Sequence, residues 1–142
     1  MTVKTAVTIR AAENKDREPV QRLWDGCGLG RVATDEWDAL MAAPTTAVLL
    51  AEDGETLVGT AVTSFDGWRA YIYHVAVEEK HRRSGVGYDL MAQAEQFLMS
   101  AGARYVHVMA HEENTEGLAL VGSLGYLPEG EIVLTKRLAT RP

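Results

Sequence analysis

Period-two and period-3.6 apolar patterns alternate along the chain, and their order outlines a mixed fold. VTIRAA, at 7–12, reads as a short opening strand. In DREPVQRLWDGCG that follows, Val20, Leu23, Trp24 and Cys27 stand at i, i+3, i+4 and i+7 and make one apolar helical face. Asp16 suits the N-cap there, and Gly26 and Gly28 suit the stop. A shorter helix is predicted over DEWDALMAA, starting near Thr34 and ended by Pro44. TAVLLAEDGETLVGTAVTSFDGWRAYIYHVAV divides into three strands at its two Asp-Gly pairs, the dipeptide of tight hairpins. An antiparallel meander follows from that spacing. VGYDLMAQAEQFLMSAG returns to helical period, with Val86, Leu90, Met91, Ala94, Phe97, Leu98 and Ala101 on one face and Gly102 as the stop. RYVHVMA reads as a strand, NTEGLALVGSLGY as a helix broken at Gly125, and EIVLTKRL as a last strand. Strand, helix, strand after a meander implies a crossover between parallel neighbours.

Composition narrows this picture to one domain. With 142 residues, 46% apolar and 24% charged, and no repeat, linker or low-complexity stretch, residues 1–142 are expected to form a single α/β domain with a real core. No apolar run approaches the roughly 18 residues of a membrane span. MTVKTAVTIRAAENKD lacks a secretory h-region, so a cytoplasmic protein is expected. The single cysteine, Cys27, excludes an internal disulfide framework and argues against a metal cluster. A net charge of -6 argues against nucleic acid as partner and is compatible with a cationic small substrate or simply with solubility.

The candidate chemistry sits in HRRSGVGYDLM, between a β-like run and a helix-like one. A dinucleotide fingerprint fails because Leu90 stands where the third glycine belongs, and a nucleotide-hydrolase phosphate loop fails because Tyr88 and Asp89 follow Gly87. A third reading is a bare helix start. Its unpaired amides and dipole attract an anion, Gly85 and Gly87 admit it, and Lys80, Arg82 and Arg83 add charge. A glycine-containing turn with solvated arginines explains the spacing equally well.

HVAVEEKHRRSGVGYDLM resembles the signature V-x-P-x-x-Q/R-x-x-G-x-G/A of the GNAT superfamily of N-acetyltransferases, with Val77, Arg82, Gly85 and Gly87 in the Val, Q/R and two Gly places and Glu79 at the common proline. The opening strand and helix and the NTEGLALVGSLGY segment are similar to that family at the expected spacings. The resemblance implies helices on both faces of a mostly antiparallel sheet, with a splayed parallel strand pair that receives the pantetheine arm of acetyl-CoA. It further implies that the backbone near Val75 and Val77 pairs with pantetheine, that Arg82, Arg83, Ser84, Gly85, Val86 and Gly87 bind the pyrophosphate, and that Asn114 helps hold the arm. As a residue, Asn114 also reads as a plain helix N-cap.

The implied reaction is direct attack of a neutral amine on the thioester, with a backbone amide near Val75 to Val77 polarising the carbonyl. The family's frequent tyrosine acid falls on Val121, and Tyr126 matches a later aromatic place that usually packs. Tyr88 and Tyr73 are the nearest alternative donors by sequence. Tyr71 and Tyr73 match the positions where some members carry a base, and tyrosines are poor bases at neutral pH. His74 titrates in the right range but faces away from Tyr71 and Tyr73 in a regular strand; a bulge would turn it. Tyr73 and His74 are therefore the catalytic candidates. His111, Glu112 and Glu113 end the next strand, where solvated charges are the ordinary reading.

A weak base constrains the acceptor. At pH 7 a lysine amine of pKa about 10.4 is roughly 0.04% neutral, and an α-amine near 7.7–8.0 roughly 10–17%. A small-molecule or peptide α-amine is therefore expected over a protein lysine. LWDGCGLGRVATDEWDAL, in the segment that lines the acceptor pocket in this family, offers Trp24, Asp25, Glu36, Trp37 and Asp38 for an ammonium. Val121 and the tyrosines also admit an alternative, an acyl-CoA-binding module with weakened chemistry. The last strand could pair edges between subunits in a homodimer.

Overall fold

The computed structural model describes residues 7–139. Five strands pair in sequence order: β1 (Thr8–Ala11), β2 (Thr46–Asp53), β3 (Thr56–Phe65), β4 (Ala70–Val77) and β5 (Val106–Val108). The first four are antiparallel, and β5 joins β4 in parallel after the crossover through α3 (Val86–Ala101). Helices α1 (Arg17–Gly26), α2 (Thr34–Ala42) and α4 (Thr115–Ser123), with short 3-10 turns at Asn14–Asp16 and Glu79–His81, complete the described structure. The meander turns are the expected ones. Gly54 adopts φ +63 in the first, and in the second Asp66 Oδ1 accepts from the Trp68 and Arg69 amides at 2.8 and 2.7 Å.

The sheet has a core on each face. Leu90, Met91, Ala94 and Leu98 of α3 and Val121 of α4 pack on one side with Leu49, Val58 and Ile72. Val20 and Trp24 of α1 and Trp37 of α2 pack on the other with Val48, Leu50 and Val62. α3 lies very close to the strands at Gly59, where an added Cβ would sit 2.9 Å from Leu90 Cδ1 and 3.1 Å from the Ala76 carbonyl.

Three local expectations need correction. Asp16 does not cap α1 with its side chain. It is buried, and its carboxylate takes both ends of the Arg10 guanidinium at 2.9 Å while Arg10 Nε donates to Glu52 at 2.8 Å. This fork ties the opening strand to the first helix and holds the Asp16 carboxyl below the usual carboxylate range. Second, the strand expected over RYVHVMA is only three residues long, because β4 leaves it after Ile72. Third, EIVLTKRL forms no strand. Residues 127–139 carry no regular structure and expose Leu127, Ile132, Val133, Leu134 and Leu138. A strand exists only against a ladder partner, and none of the described strands pairs with this segment.

Candidate active site

β4 and β5 are hydrogen-bonded over Ala70, Tyr71 and Ile72 only, closing with the Met109 amide on the Ile72 carbonyl at 3.0 Å. Beyond that point β4 runs on to Val77 without its parallel neighbour, so a wedge opens between the strands. Glu78 N–H donates across to Val58 at 2.8 Å, so by alternation the Val77 amide faces the wedge. Arg82 Nε already donates to the Val77 carbonyl at 3.0 Å.

A bulge interrupts β4 just above the wedge. Thr60 faces Ala76 and Val62 faces Tyr73, leaving Ala61 opposite both His74 and Val75. His74 takes φ +49 there, a left-handed conformation costly for a residue with a Cβ. The extra residue resets the alternation. Ile72 packs toward α3 and Tyr73 toward α1 and α2, then Val75 and Val77 return to the α3 side and Ala76 to the other. His74 shares the face of Tyr73, with ring centroids 5.5 Å apart, and its ring meets the Trp24 indole edge-on at 4.8 Å. The sequence left the side of His74 to a bulge, and the bulge is present. Burial pushes the His74 pKa down, against a hydrogen bond with the Leu29 backbone that raises it, and nearby His111 lowers it further. The imidazole is thereby kept neutral and able to accept a proton. Burial pushes the Tyr73 hydroxyl up, away from service as a base.

At the mouth of the wedge α3 begins on Gly85, left-handed at φ +91, with no side chain capping its first turn. Arg83 is also left-handed at φ +63, and the Ser84 hydroxyl donates to the His81 carbonyl, so the loop is tightly wound. Arg82, Arg83, Glu79 and Glu116 line a hollow of about 260 Å³ beside this helix start. The uncapped amides and two guanidiniums fit a phosphate. Glu116 stands 3.6 Å from Arg83, an exposed pair that an arriving anion displaces at little cost. Val86, fully buried in the α3 core, contributes only backbone here. Gly87 serves packing as well: an added Cβ would lie 2.8 Å from Leu120 Cδ2 of α4. His81 pins the loop from outside, with Nδ1 2.7 Å from Glu78 and Nε2 3.3 Å from Asp53.

A model of the acetyltransferase (GNAT) family matches residues 9–126. The chain belongs to the GNAT acetyltransferase family. Acetyltransferases of Yersinia pestis (strain Pestoides F) and Yersinia pseudotuberculosis serotype I are each 29% identical to it over 133 residues, 92% of this chain and 94% of theirs. Among solved structures, a transcriptional regulator from Bacillus halodurans C-125 shares the fold at TM-score 0.80 and 20% identity, covering 93% of this chain and 100% of that one. An aminoglycoside N-acetyltransferase in complex with CoA does so at TM-score 0.79 and 18% identity, over 94% of this chain and 96% of its own.

Within this GNAT domain the expected acceptor residues fare differently from those expected at the helix start. Trp37 is fully buried, with its Nε1–H on the Asn14 carbonyl at 3.2 Å, so it is not placed to touch an acceptor as expected. Glu36 spends its carboxylate on the Ala33 amide at 2.9 Å as a helix cap. Trp24 is 3% exposed and reaches the site only through His74 and Thr60. The helical spacing of Trp24 with Val20, Leu23 and Cys27 was already a core signal. A broader cleft of about 780 Å³ between α1 and the β4–α3 loop includes Arg22, Cys27, Glu78, Glu79, Lys80 and Arg82. Asn114 caps α4, accepting from Gly117 N–H at 3.0 Å. Val121 is buried in the core, Tyr126 donates its hydroxyl to Glu95 at 2.5 Å, and the Tyr88 hydroxyl lies 2.9 Å from Ser123, tying α3 to α4. Among the described residues no group of three or more suits a metal ion. No helix among them is long and apolar enough to cross a membrane.

Proposed function

We propose that this GNAT domain moves an acetyl group from acetyl-CoA to a primary amine by direct attack on the thioester, and that the acceptor is a small-molecule or peptide α-amine. The observation that carries the reading is the bulge that brings a neutral, half-buried His74 beside a wedge whose far end is an uncapped helix start. In this reading the pyrophosphate rests on the Ser84–Gly87 backbone with Arg82 and Arg83 beside it, and the pantetheine arm lies along Val75 and Val77, with Asn114 opposite. A backbone N–H of that stretch polarises the thioester carbonyl. His74 accepts a proton from the acceptor's ammonium, the freed amine attacks the thioester carbon, and the C–S bond breaks to release coenzyme A as thiolate, tolerable for a thiol of pKa about 8.5, which then takes up the second amine proton. A depressed imidazole pKa makes a modest base, which favours amines that are partly neutral already.

Calorimetric titration with acetyl-CoA, with ATP as control, tests the groove first. Micromolar binding of acetyl-CoA alone is expected, and its loss in Gly85→Glu, because a side chain and a negative charge enter the phosphate site. Equal affinity in that variant removes the site assignment. Screening α-amines against lysine-like amines then tests the acceptor class. Binding without turnover on any amine would favour a coenzyme-binding module, as buried Val121 in the acid position already suggests.

A further inference from the structure

At the β4 bulge a side chain takes the backbone carbonyl of the extra residue. In a regular strand the pairing of Thr60 with Ala76 would continue through Ala61; instead Ala61 faces two residues. Thr60 Oγ1 donates to the His74 carbonyl at 3.0 Å. The same oxygen accepts from Trp24 Nε1 at 2.9 Å. An indole N–H only donates and a carbonyl only accepts, so the hydroxyl proton has one direction, toward His74. Thr60 is fully buried and Trp24 nearly so, which leaves water no part in the chain. The Trp24 ring also abuts the His74 imidazole, so one residue touches the histidine through its ring and braces its backbone through Thr60.

We propose that Thr60, braced by Trp24, is a positioning residue that holds His74 in its left-handed bulge and so keeps the imidazole on the acceptor side of β4. For its catalytic part the proposal rests on His74 being the proton acceptor in the reading above. Without the hydroxyl, the buried indole N–H of Trp24 and the His74 carbonyl both lose the partner they share, a loss proteins avoid. With no hydroxyl to hold it, the carbonyl turns toward another donor, and the strained backbone of His74 relaxes toward negative φ while the register of β4 on β3 is kept. The pyrophosphate loop lies beyond the intact pairing of Gly59 with Val77 and is untouched.

The test compares wild type, Thr60→Val and Thr60→Ser by backbone ¹³Cα and ¹³Cβ shifts of His74, acetyl-CoA affinity and turnover. In Thr60→Val the His74 shifts are expected to move from left-handed toward extended values, with kcat down about tenfold or more and coenzyme affinity within about twofold of wild type. Thr60→Ser, which keeps the hydroxyl, is expected to restore the shifts and most of kcat. Unchanged His74 shifts in Thr60→Val overturn the clamp whatever the activity. Moved shifts with unchanged kcat overturn its role in the reaction. Loss of coenzyme binding without rescue by serine means that Thr60 is merely structural. Absence of turnover in wild type sinks the acetyl-transfer reading instead, and the shifts still decide the clamp. Should Thr60→Val not fold, Trp24→Phe removes the bracing N–H, and the same His74 shifts are read; shifts like wild type there overturn the bracing.

Discussion

His74 carries more of this protein's physics than any other side chain, because its backbone strain and its ionisation have the same origin. The bulge turns it inward against Trp24 and Tyr73, and that burial depresses its pKa. The consequence for stability has a definite sign. An unfolded chain has an ordinary histidine pKa near 6.5, so in mildly acid solution the unfolded state binds the proton first. His74 therefore favours the folded state fully above that value and progressively less as pH falls through and below it. Urea denaturation between pH 7.5 and 5 is expected to show a steeper loss of stability in wild type than in His74→Gln. Parallel curves would mean that the imidazole is as solvated as a free one. If His74 is the proton acceptor, the same substitution lowers kcat/KM about 100-fold while coenzyme affinity holds. Asp16, held low by Arg10, gives a separate acid transition below about pH 3.8, where its carboxylate protonates in the unfolded chain.

At the scale of elements, the groove depends on how closely α3 can lie on the sheet. Gly59 permits that approach: its position meets Leu90, Val86 and the Ala76 carbonyl at once, and the carbonyl cannot swing away as a side-chain end can. Gly59→Ala is expected to lower stability by about 1–3 kcal/mol, the usual range for overpacking. Chemical denaturation measures this, and a change within about 0.5 kcal/mol would mean that α3 rides over the methyl group freely. At Gly87 the close approach is to the flexible end of Leu120, with Val77 at an ordinary 3.9 Å, so Gly87→Ala should cost less than Gly59→Ala in the same assay. The periodicities of these elements were plain in the sequence, since α1, α3 and the meander each follow one dominant pattern. Their closest contacts were not, because a glycine in a strand looks the same whether it meets solvent or a helix.

For the whole molecule, the segment after α4 is the feature that a single chain does not account for. Five large apolar residues stand exposed from Leu127 to Leu138, while β5, three residues long, presents an open sheet edge. A strand-like run and an open edge on the same chain are complementary in two copies related by a twofold axis. Exchange of residues 131–138 between the β5 edges of two copies is the arrangement that this complementarity lets one test. Light scattering on the full chain at tens of micromolar is expected to give twice the mass of 15.5 kDa, and Leu134→Lys to shift it toward monomer. A monomer whose 131–138 amides are protected from exchange would place the strand on its own sheet instead.

Sequence alone determined what depends on neighbours along the chain: the periods of the helices and strands, the Asp-Gly turns, the helix start at Gly85 and the family signature around it. These are local because amide direction, φ preference and side-chain spacing are set within a few residues. Tertiary structure decided what depends on partners far apart. It turned His74 toward Trp24 through a bulge that no spacing reveals, and it assigned Thr60, one strand threonine among several, to the His74 carbonyl. It also buried Trp37, spent Glu36 on a cap, and withheld a strand from EIVLTKRL. Strand pairing, burial and the pKa of an imidazole are properties of two or more surfaces in contact, and only the folded chain brings those surfaces together.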